Sequence, residues 1–407
     1  PVNDAPINQV PDAMAVKEDG SLSLSGISVK DVDAGSAPMS MVLRVEHGVL
    51  TLLGAAGAVS VQGAGSNEMT LVGSLDDLNS LLNGNLHYEP AKDFWGEDNL
   101  TITTSDRGNT GAGGALTDTT QVGITVTAEA DAPQLGLGTH DIHSLQGAWV
   151  PLNLSASVVN PAPGELSVRI QNLGGAQVVD EHGQSVGHAD NNGDWLLPME
   201  HSVPLYVKDL AAGDHSLILT AESSAGGSTL SSAEETLTIH SQSGHDLVGS
   251  DRGDWLFGST GSDRILGGLG DDVIRGGQGN DILSGGAGSD LFVWGQGDEG
   301  TATQPAIDTV TDFHPEEGDK IDLADLLKGV TDNSVDGLLG HLSASVTAGS
   351  GGLSDVSLSV SPAGDGQVTQ QITLKDVDLS SWNLSGSSSH DILQSMLDQH
   401  SLIIQHP

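Results

Sequence analysis

Between Gly249 and Val293 an aspartate and, two residues later, an apolar side chain return every nine residues, and no other feature restricts the chain so tightly. The five units read Gly249-Ser-Asp-Arg-Gly-Asp-Trp-Leu-Phe, Gly258-Ser-Thr-Gly-Ser-Asp-Arg-Ile-Leu, Gly267-Gly-Leu-Gly-Asp-Asp-Val-Ile-Arg, Gly276-Gly-Gln-Gly-Asn-Asp-Ile-Leu-Ser and Gly285-Gly-Ala-Gly-Ser-Asp-Leu-Phe-Val. Asp254, Asp263, Asp272, Asp281 and Asp290 stand sixth, and Leu256, Ile265, Ile274, Leu283 and Phe292 stand eighth. A Gly-rich flexible linker has no reason to hold both in register through every unit. A phosphate-binding loop is also excluded, because no Lys-Ser or Lys-Thr follows the glycines and acid lines the turns. The glycines permit tight positive-φ turns, and the residues after each aspartate suit a short strand. The preceding stretch, His240 to Val248, has His245 in place of the aspartate and reads as a capping turn.

The pattern Gly-Gly-x-Gly-x-Asp-x-apolar-x resembles the calcium-binding parallel β-helix repeat of the repeats-in-toxin (RTX) family. Three units match fully, the second departs at Ser259, and the first has Ser250 and Arg252 where the family has glycine. The resemblance implies two units per coil, so that Asp254, Asp272 and Asp290 stack on one edge and Asp263 and Asp281 on the other. Calcium takes six to eight oxygen ligands, and stacked carboxylates with turn carbonyls are donors of that kind. The eighth-position residues are then expected to form the only core of a thin roll.

Thirteen Lys and Arg against 55 Asp and Glu leave a formal charge of −42, which repels nucleic acid and anionic membranes and attracts cations. Such acidity also suits disorder, but the 37% of apolar residues alternate in runs such as Leu100-Thr-Ile-Thr and Gln121-Val-Gly-Ile-Thr-Val, as half-buried strands do. With no cysteine, disulfides cannot stiffen the chain, and metal is the expected cross-link. No stretch approaches the roughly 18 to 20 apolar residues of a membrane span. No N-terminal signal peptide or initiator Met is present, and the start at Pro1-Val-Asn-Asp-Ala-Pro suggests a piece of a longer protein.

Asp-Ala-Pro recurs at Asp4-Ala-Pro6 and Asp131-Ala-Pro133, each before a strand-like run, and reads as the start of a domain. The expectation is a mainly β protein: two β-sandwich domains over 1–130 and 131–241, a parallel β-roll over 242–294, and a small α+β cap over 295–407. The first resembles the bacterial cadherin-like repeat through Val16-Lys-Glu-Asp-Gly-Ser-Leu, Ile27-Ser-Val-Lys-Asp-Val-Asp-Ala-Gly, Phe94-Trp-Gly-Glu-Asp-Asn-Leu-Thr-Ile and Ser105-Asp-Arg-Gly-Asn. Asp31 and Asp33 point to one side of an extended segment, and with Glu18 and Asp106 they are expected calcium ligands gathered at a domain end. The alternative is that they are solvated turn acids. The second domain is similar to the Ig-like repeats of giant RTX adhesins through Glu165-Leu-Ser-Val-Arg-Ile, Gly193-Asp-Trp-Leu-Leu and Gly213-Asp-His-Ser-Leu-Ile. It has Asn160-Pro-Ala-Pro-Gly-Glu165 where that family has an acidic turn, so only Asp131, Glu165 and Glu222 remain as ligands there.

After the repeats, Ile307-Asp-Thr-Val-Thr-Asp-Phe, Gly318-Asp-Lys-Ile-Asp-Leu and Asp391-Ile-Leu-Gln-Ser-Met-Leu-Asp resemble the C-terminal target domain of type I secreted proteins. Helical runs are expected at Leu323 to Lys328 and His390 to Asp398, the latter capped by Ser389. The resemblance implies an uncleaved C-terminal export signal, with an ordinary cap on the roll as the alternative. Taken together, the chain is expected to be the C-terminal end of a secreted RTX adhesin holding several calcium ions, with the type I secretion machinery as partner. It is expected to be monomeric, extracellular or on the cell surface, and active in adhesion and biofilm formation. Its surface ligand, whether host, ice, abiotic or glycan, is left open, and a lectin-like or peptide-binding module in one sandwich is the alternative. No enzyme activity is expected: there is no His-Glu-x-x-His, no Cys nucleophile, and none of the 15 His lies in a familiar triad signature.

Overall fold

Alternating apolar residues separated by Gly, Asn and Asp turns make strands throughout the computed structural model, which describes residues 2–54, 56–108, 112–159, 161, 165–199, 203–332, 334–382, 384 and 387–406. The turn at 160–164 lies almost wholly outside the described residues, as does Asn109. The fold is mainly β, with sandwich-like sheets and a parallel roll. The chain separates into two compact units, one of Pro1–Pro133, Ser157–Leu166 and Glu222–Ser232, the other of the remaining segments through Pro407.

In the first unit the strand Gly96–Ser105 is the spine. It pairs antiparallel with Thr117–Thr127 on one side and Met39–Arg44 on the other, and turns Asp98, Leu100, Ile102 and Thr104 inward. Ala13–Lys17 adds a parallel edge, with Ala13 opposite Gly123 and Lys17 opposite Thr127. A second layer, Leu22–Ser23, Leu86–Pro90 and Gly48–Leu52, closes over a core that includes Met39, Met41, Leu43, Met69, Leu71 and Tyr88. The helix Leu75–Leu82 also feeds this core through Leu78, Leu81 and Leu82. Strand alternation does not reveal this helix. Its sequence signal is Ser74, whose side chain accepts from the Asp77 N–H and caps the first turn.

In the second unit the strand Asp141–Leu145 lies parallel to Glu235–Gln242 on one side and to Trp255–Phe257 on the other, so the sandwich sheet continues directly into the roll. Strands then stack in parallel at an offset of one coil, Ile274 opposite Phe292 on one face and Ile265 opposite Leu283 on the other. The stack runs on past the repeats. Lys320–Asp322 and Leu402–Ile403 extend the first face, and Ala306–Val310 and Gln370–Val377 extend the second.

Leu256, Ile265, Ile274, Leu283 and Phe292 are all fully buried. They are not the only core of a thin roll, however. They form one continuous cluster with Trp294, Phe313, Trp382, Ile392, Leu393, Met396 and Leu402, because the C-terminal segment folds over the roll's open end. The helix Ser389–Asp398 is capped by Ser388 rather than Ser389, with Asp391 returning the bond in a capping box. Residues 324–329 form turns rather than a helix, although the Leu327 N–H still reaches the Leu323 carbonyl at 2.8 Å.

This shared core makes roll and cap one cooperative body. Leu393→Ala removes a buried side chain at a cost of about 2–5 kcal/mol. In calcium it is expected to lower the melting of the whole second unit in one transition, followed by Trp fluorescence and by far-UV circular dichroism. A roll that melts at its wild-type temperature while the cap melts early would contradict the shared core.

Candidate metal centre

The offset of one coil places each repeat aspartate beneath its counterpart. Asp254 N–H donates to Asp272 Oδ1 at 2.7 Å and Asp272 N–H to Asp290 Oδ1 at 2.9 Å. On the other edge Asp263 N–H donates to Asp281 Oδ1 at 2.9 Å. Both ladders continue beyond the nonapeptides: Asp290 N–H donates to Asp319 Oδ1 at 2.9 Å, and Asp281 N–H to Asp308 Oδ1 at 2.8 Å. The regular period hid these two rungs, since Asp308 and Asp319 follow their predecessors by 27 and 29 residues. The triplet of aspartate, any residue and an apolar residue at Asp308-Thr-Val and Asp319-Lys-Ile is the signal that could have found them. At its start, the second ladder ends on His245, whose Nδ1 lies 2.7 Å from Asp263 Oδ1.

The second carboxylate oxygen distinguishes the units. In the units with serine second it is satisfied: Asp254 Oδ2 accepts from Ser250 N–H, and Asp263 Oδ2 from Ser259 N–H and Oγ. In the three units with glycine second, Asp272 Oδ2, Asp281 Oδ2 and Asp290 Oδ2 are buried without a hydrogen-bond partner. Glycine in the first position makes room for them: a Cβ on Gly276 would lie 2.2 Å from Asp281 Oδ2, and one on Gly285 would lie 2.0 Å from Asp290 Oδ2. Carbonyls crowd the same turns, and a Cβ on Gly286, at φ +97°, would meet the Gly268 oxygen at 2.0 Å.

Burial pushes Asp272 up to about 7 and Asp281 up to about 8, and the neighbouring carboxylates add to both. Burial likewise lifts Asp319 to about 7 and Asp308 to about 6, and raises Asp290. Burial alone is not the cause of this instability. Asp98 in the first unit is just as buried, yet it accepts from Glu46 N–H, His47 N–H, Asn99 N–H and Tyr88 Oη–H, and these bonds bring it below the ordinary carboxylate range despite its burial. Asp272, Asp281 and Asp290 lack donors for their second oxygens among the described residues, and the charges around them are other carboxylates. Stacked hard oxygens beside glycine carbonyls fit calcium, which would neutralise the ladder and take up the orphaned oxygens.

The acids of the first unit fall into two groups. Asp106 is held by Gly108 N–H and Leu116 N–H, each at 2.8 Å, and by the Asn3 side-chain amide at 2.5 Å. Asp33 Oδ2 accepts from Asp4 N–H at 3.2 Å, and Asp31 Oδ1 accepts from Asp33 N–H and Ala34 N–H. The segment Asn3–Asp4 thus ties Asp106 to Asp33, and Asn3 Oδ1, Asp31 Oδ2 and Asp33 Oδ1 are buried without a partner. Asn3 carries no charge, and nothing in its sequence context marks it as a ligand. Glu18 does not join this group. It follows the strand that ends opposite Thr127, whereas Asp106 lies beside Leu116, so the length of the 11-residue strand Thr117–Thr127, about 36 Å at ~3.3 Å per residue, separates them. Glu18 instead accepts from Glu129 N–H at 2.5 Å, and burial, then Asp131, Asp19 and Glu165, raise its pKa. Two acids assigned by sequence to the second sandwich, Asp131 and Glu165, therefore belong with Glu18.

The RTX calcium-binding nonapeptide repeat family matches residues 248–283 and 257–292, and the Bacterial Ig domain family matches residues 3–125. No curated protein matches the chain. Among solved structures, the AlgE6R3 subunit of the Azotobacter vinelandii mannuronan C5-epimerase is 24% identical, covering 35% of this chain and 84% of that one at a TM-score of 0.26. Mouse cadherin-23 EC22-24 is 15% identical, with 60% and 66% covered at 0.28. Human protocadherin-24 EC1-2 is 12% identical, with 59% and 99% covered at 0.28. The repeats are calcium-binding, and the chain joins them to an Ig-like domain.

Calcium is expected to reverse the pH dependence of the roll. Asp272 and Asp281 take up protons near 7 and 8 in the metal-free roll but near 4 when unfolded, so between those values the fold binds more protons and loses stability as pH rises. With calcium bound the carboxylates are held ionised, and stability is lost as pH falls. In calcium-stripped buffer the roll's circular dichroism signal is expected to be stronger at about pH 5 than at about pH 8, and in millimolar calcium weaker. The same profile in both buffers would contradict the assignment.

Proposed function

We propose that this chain is the C-terminal portion of a secreted RTX adhesin, exported through a type I system and folded outside the cell by calcium. RTX calcium-binding repeats and an Ig-like domain in one chain already fit a calcium-binding, adhesin-like protein. The observation that carries the finer reading is the pair of aspartate ladders in which the second oxygens of Asp272, Asp281 and Asp290 are buried and unpartnered. Asp254, Asp263, Asp272, Asp281 and Asp290, with Asp308 and Asp319 continuing them, hold calcium together with the glycine carbonyls of adjacent turns. In calcium-poor cytosol the ladders repel and the chain stays open for export. Outside, the ions close the roll and the cap follows.

The proposed division is a sandwich over 1–130, a second over 131–241, the roll over 242–294 and the export-competent cap over 295–407. At the start of the first sandwich, Asn3, Asp31 and Asp33 take a calcium ion, with Asp106 fixing Asn3. At its far end, Glu18, Asp131 and Glu165 take another. These ions stiffen a chain that has no disulfides, a structural and adhesive role rather than a catalytic one. The final helix has a second duty as part of the export signal. Among the described residues no helix is long and apolar enough to cross a membrane.

The secretion claim is tested in a host carrying a type I exporter. The full chain is expected in the medium, protease-sensitive without calcium and resistant with it, and deletion of residues 388–407 is expected to leave it in the cells. Normal export of the truncated chain, or protease resistance in calcium-free medium, would contradict the proposal.

A further inference from the structure

The sandwich sheet of the second unit also presents imidazole donors, which calcium does not favour. His143 of Asp141–Leu145 stands directly opposite His240 of Glu235–Gln242, and Asp141 lies two residues before His143, on the same face. The two rings stack with centroids 4.9 Å apart. One ligand atom from each of Asp141, His143 and His240 lies within 4.8 Å of the other two.

Proton positions around His240 leave room for a cation. Its Nδ1 is 2.8 Å from Asp214 Oδ1, on the neighbouring antiparallel strand. In the neutral ring the proton then sits on Nδ1 and is donated to Asp214, so Nε2 carries the lone pair. That nitrogen faces Asp141 Oδ1 at 3.2 Å. A lone pair and a carboxylate oxygen do not hold each other at that distance unless a second proton or a metal ion lies between them. His143 adds a buried Nδ1 with no hydrogen-bond partner, and its Nε2 is 3.8 Å from Asp254 Oδ1.

We propose that Asp141, His143 and His240 form a site for a borderline divalent transition metal, zinc above all, distinct from the calcium ladders. Two imidazoles and one carboxylate make the three-ligand set that zinc accepts with a water in the fourth position, whereas calcium selects oxygen. Asp214 is a positioning residue: its carboxylate fixes the tautomer and orientation of His240, the usual outer partner of a metal-bound histidine. The side chain of Asp141 is 62% exposed and that of His240 31%, so the metal has an open approach. Once bound, it ties Asp141–Leu145 to Glu235–Gln242. The first of these strands also pairs with Trp255–Phe257 of the first coil, so zinc staples the sheet where the roll begins.

The test uses the full chain in saturating calcium, with zinc chloride titrated by calorimetry and the imidazole resonances followed by NMR. One tight equivalent of zinc is expected, and the resonances of His143 and His240 move with it. His143→Ala and His240→Ala each remove that equivalent, Asp214→Asn weakens it about ten- to hundredfold, and His87→Ala, on the strand Leu86–Pro90 of the first unit, leaves it unchanged. Circular dichroism in calcium checks that each variant is folded. Zinc binding that is unaltered in the two alanine variants would overturn the proposal. Absence of a tight equivalent, or His143 and His240 resonances that stay fixed as zinc is added, would do the same by assigning the cluster to a protonated histidine pair. The wild-type resonances give this answer even if a variant fails to fold.

Discussion

Each coil of the roll sets an aspartate carboxylate against the backbone N–H of the aspartate one coil earlier, and the rest of the second unit is arranged around burying that charge. The backbone satisfies one oxygen of each carboxylate. The other oxygen, on Asp272, Asp281 and Asp290, finds no donor among the described residues, and its neighbours are further carboxylates. A buried anion in that position either takes a proton or gains a cation. On the proposed reading calcium is a component of the roll's fold, and the order of the roll depends on the medium around it.

The cap answers a different problem. A parallel roll ends in unpaired strand edges and an open apolar channel, and neither is stable in water. Lys320–Asp322 and Leu402–Ile403 pair with one face, Gln370–Val377 with the other, and Trp382, Ile392, Leu393 and Met396 close the channel. The bidentate pair of Arg275 with Asp298, at 2.8 and 2.9 Å, ties a repeat residue to the loop that leaves the roll. Carboxylate ladders at the rim and a shared apolar core at the end are therefore complementary: calcium on the first would remove repulsion along the coil, and the second supplies the burial that a two-residue coil core lacks.

Much of this was legible because the repeat couples chemistry to geometry. Aspartate in one position and an apolar residue two further on identify both the rim and the core, and the offset of one coil follows from the family pattern. The rungs Asp308 and Asp319 were hidden by insertions that broke the period while leaving the local triplet intact. Glu18 was misplaced because residues near in sequence to one end of a strand can lie at the far end of the sheet, and only the parallel pairing of Ala13–Lys17 with Thr117–Thr127 reveals it. Asn3 carries no charge to mark it, and the role proposed for it rests on an amide oxygen left without a partner beside Asp106. His143 and His240 lie almost a hundred residues apart, and nothing short of strand register brings them together.

Hydrogen exchange at neutral pH, read by mass spectrometry peptide by peptide with and without calcium, tests the dependence of the roll on its ions most directly. Peptides within 249–293 and the cap helix Ser389–Asp398 are expected to be protected in calcium and to exchange at near-unfolded rates in chelator. The strand Gly96–Ser105, whose buried Asp98 is already satisfied by protein donors, is expected to stay protected in both. Roll peptides that keep their protection in chelator would contradict the account.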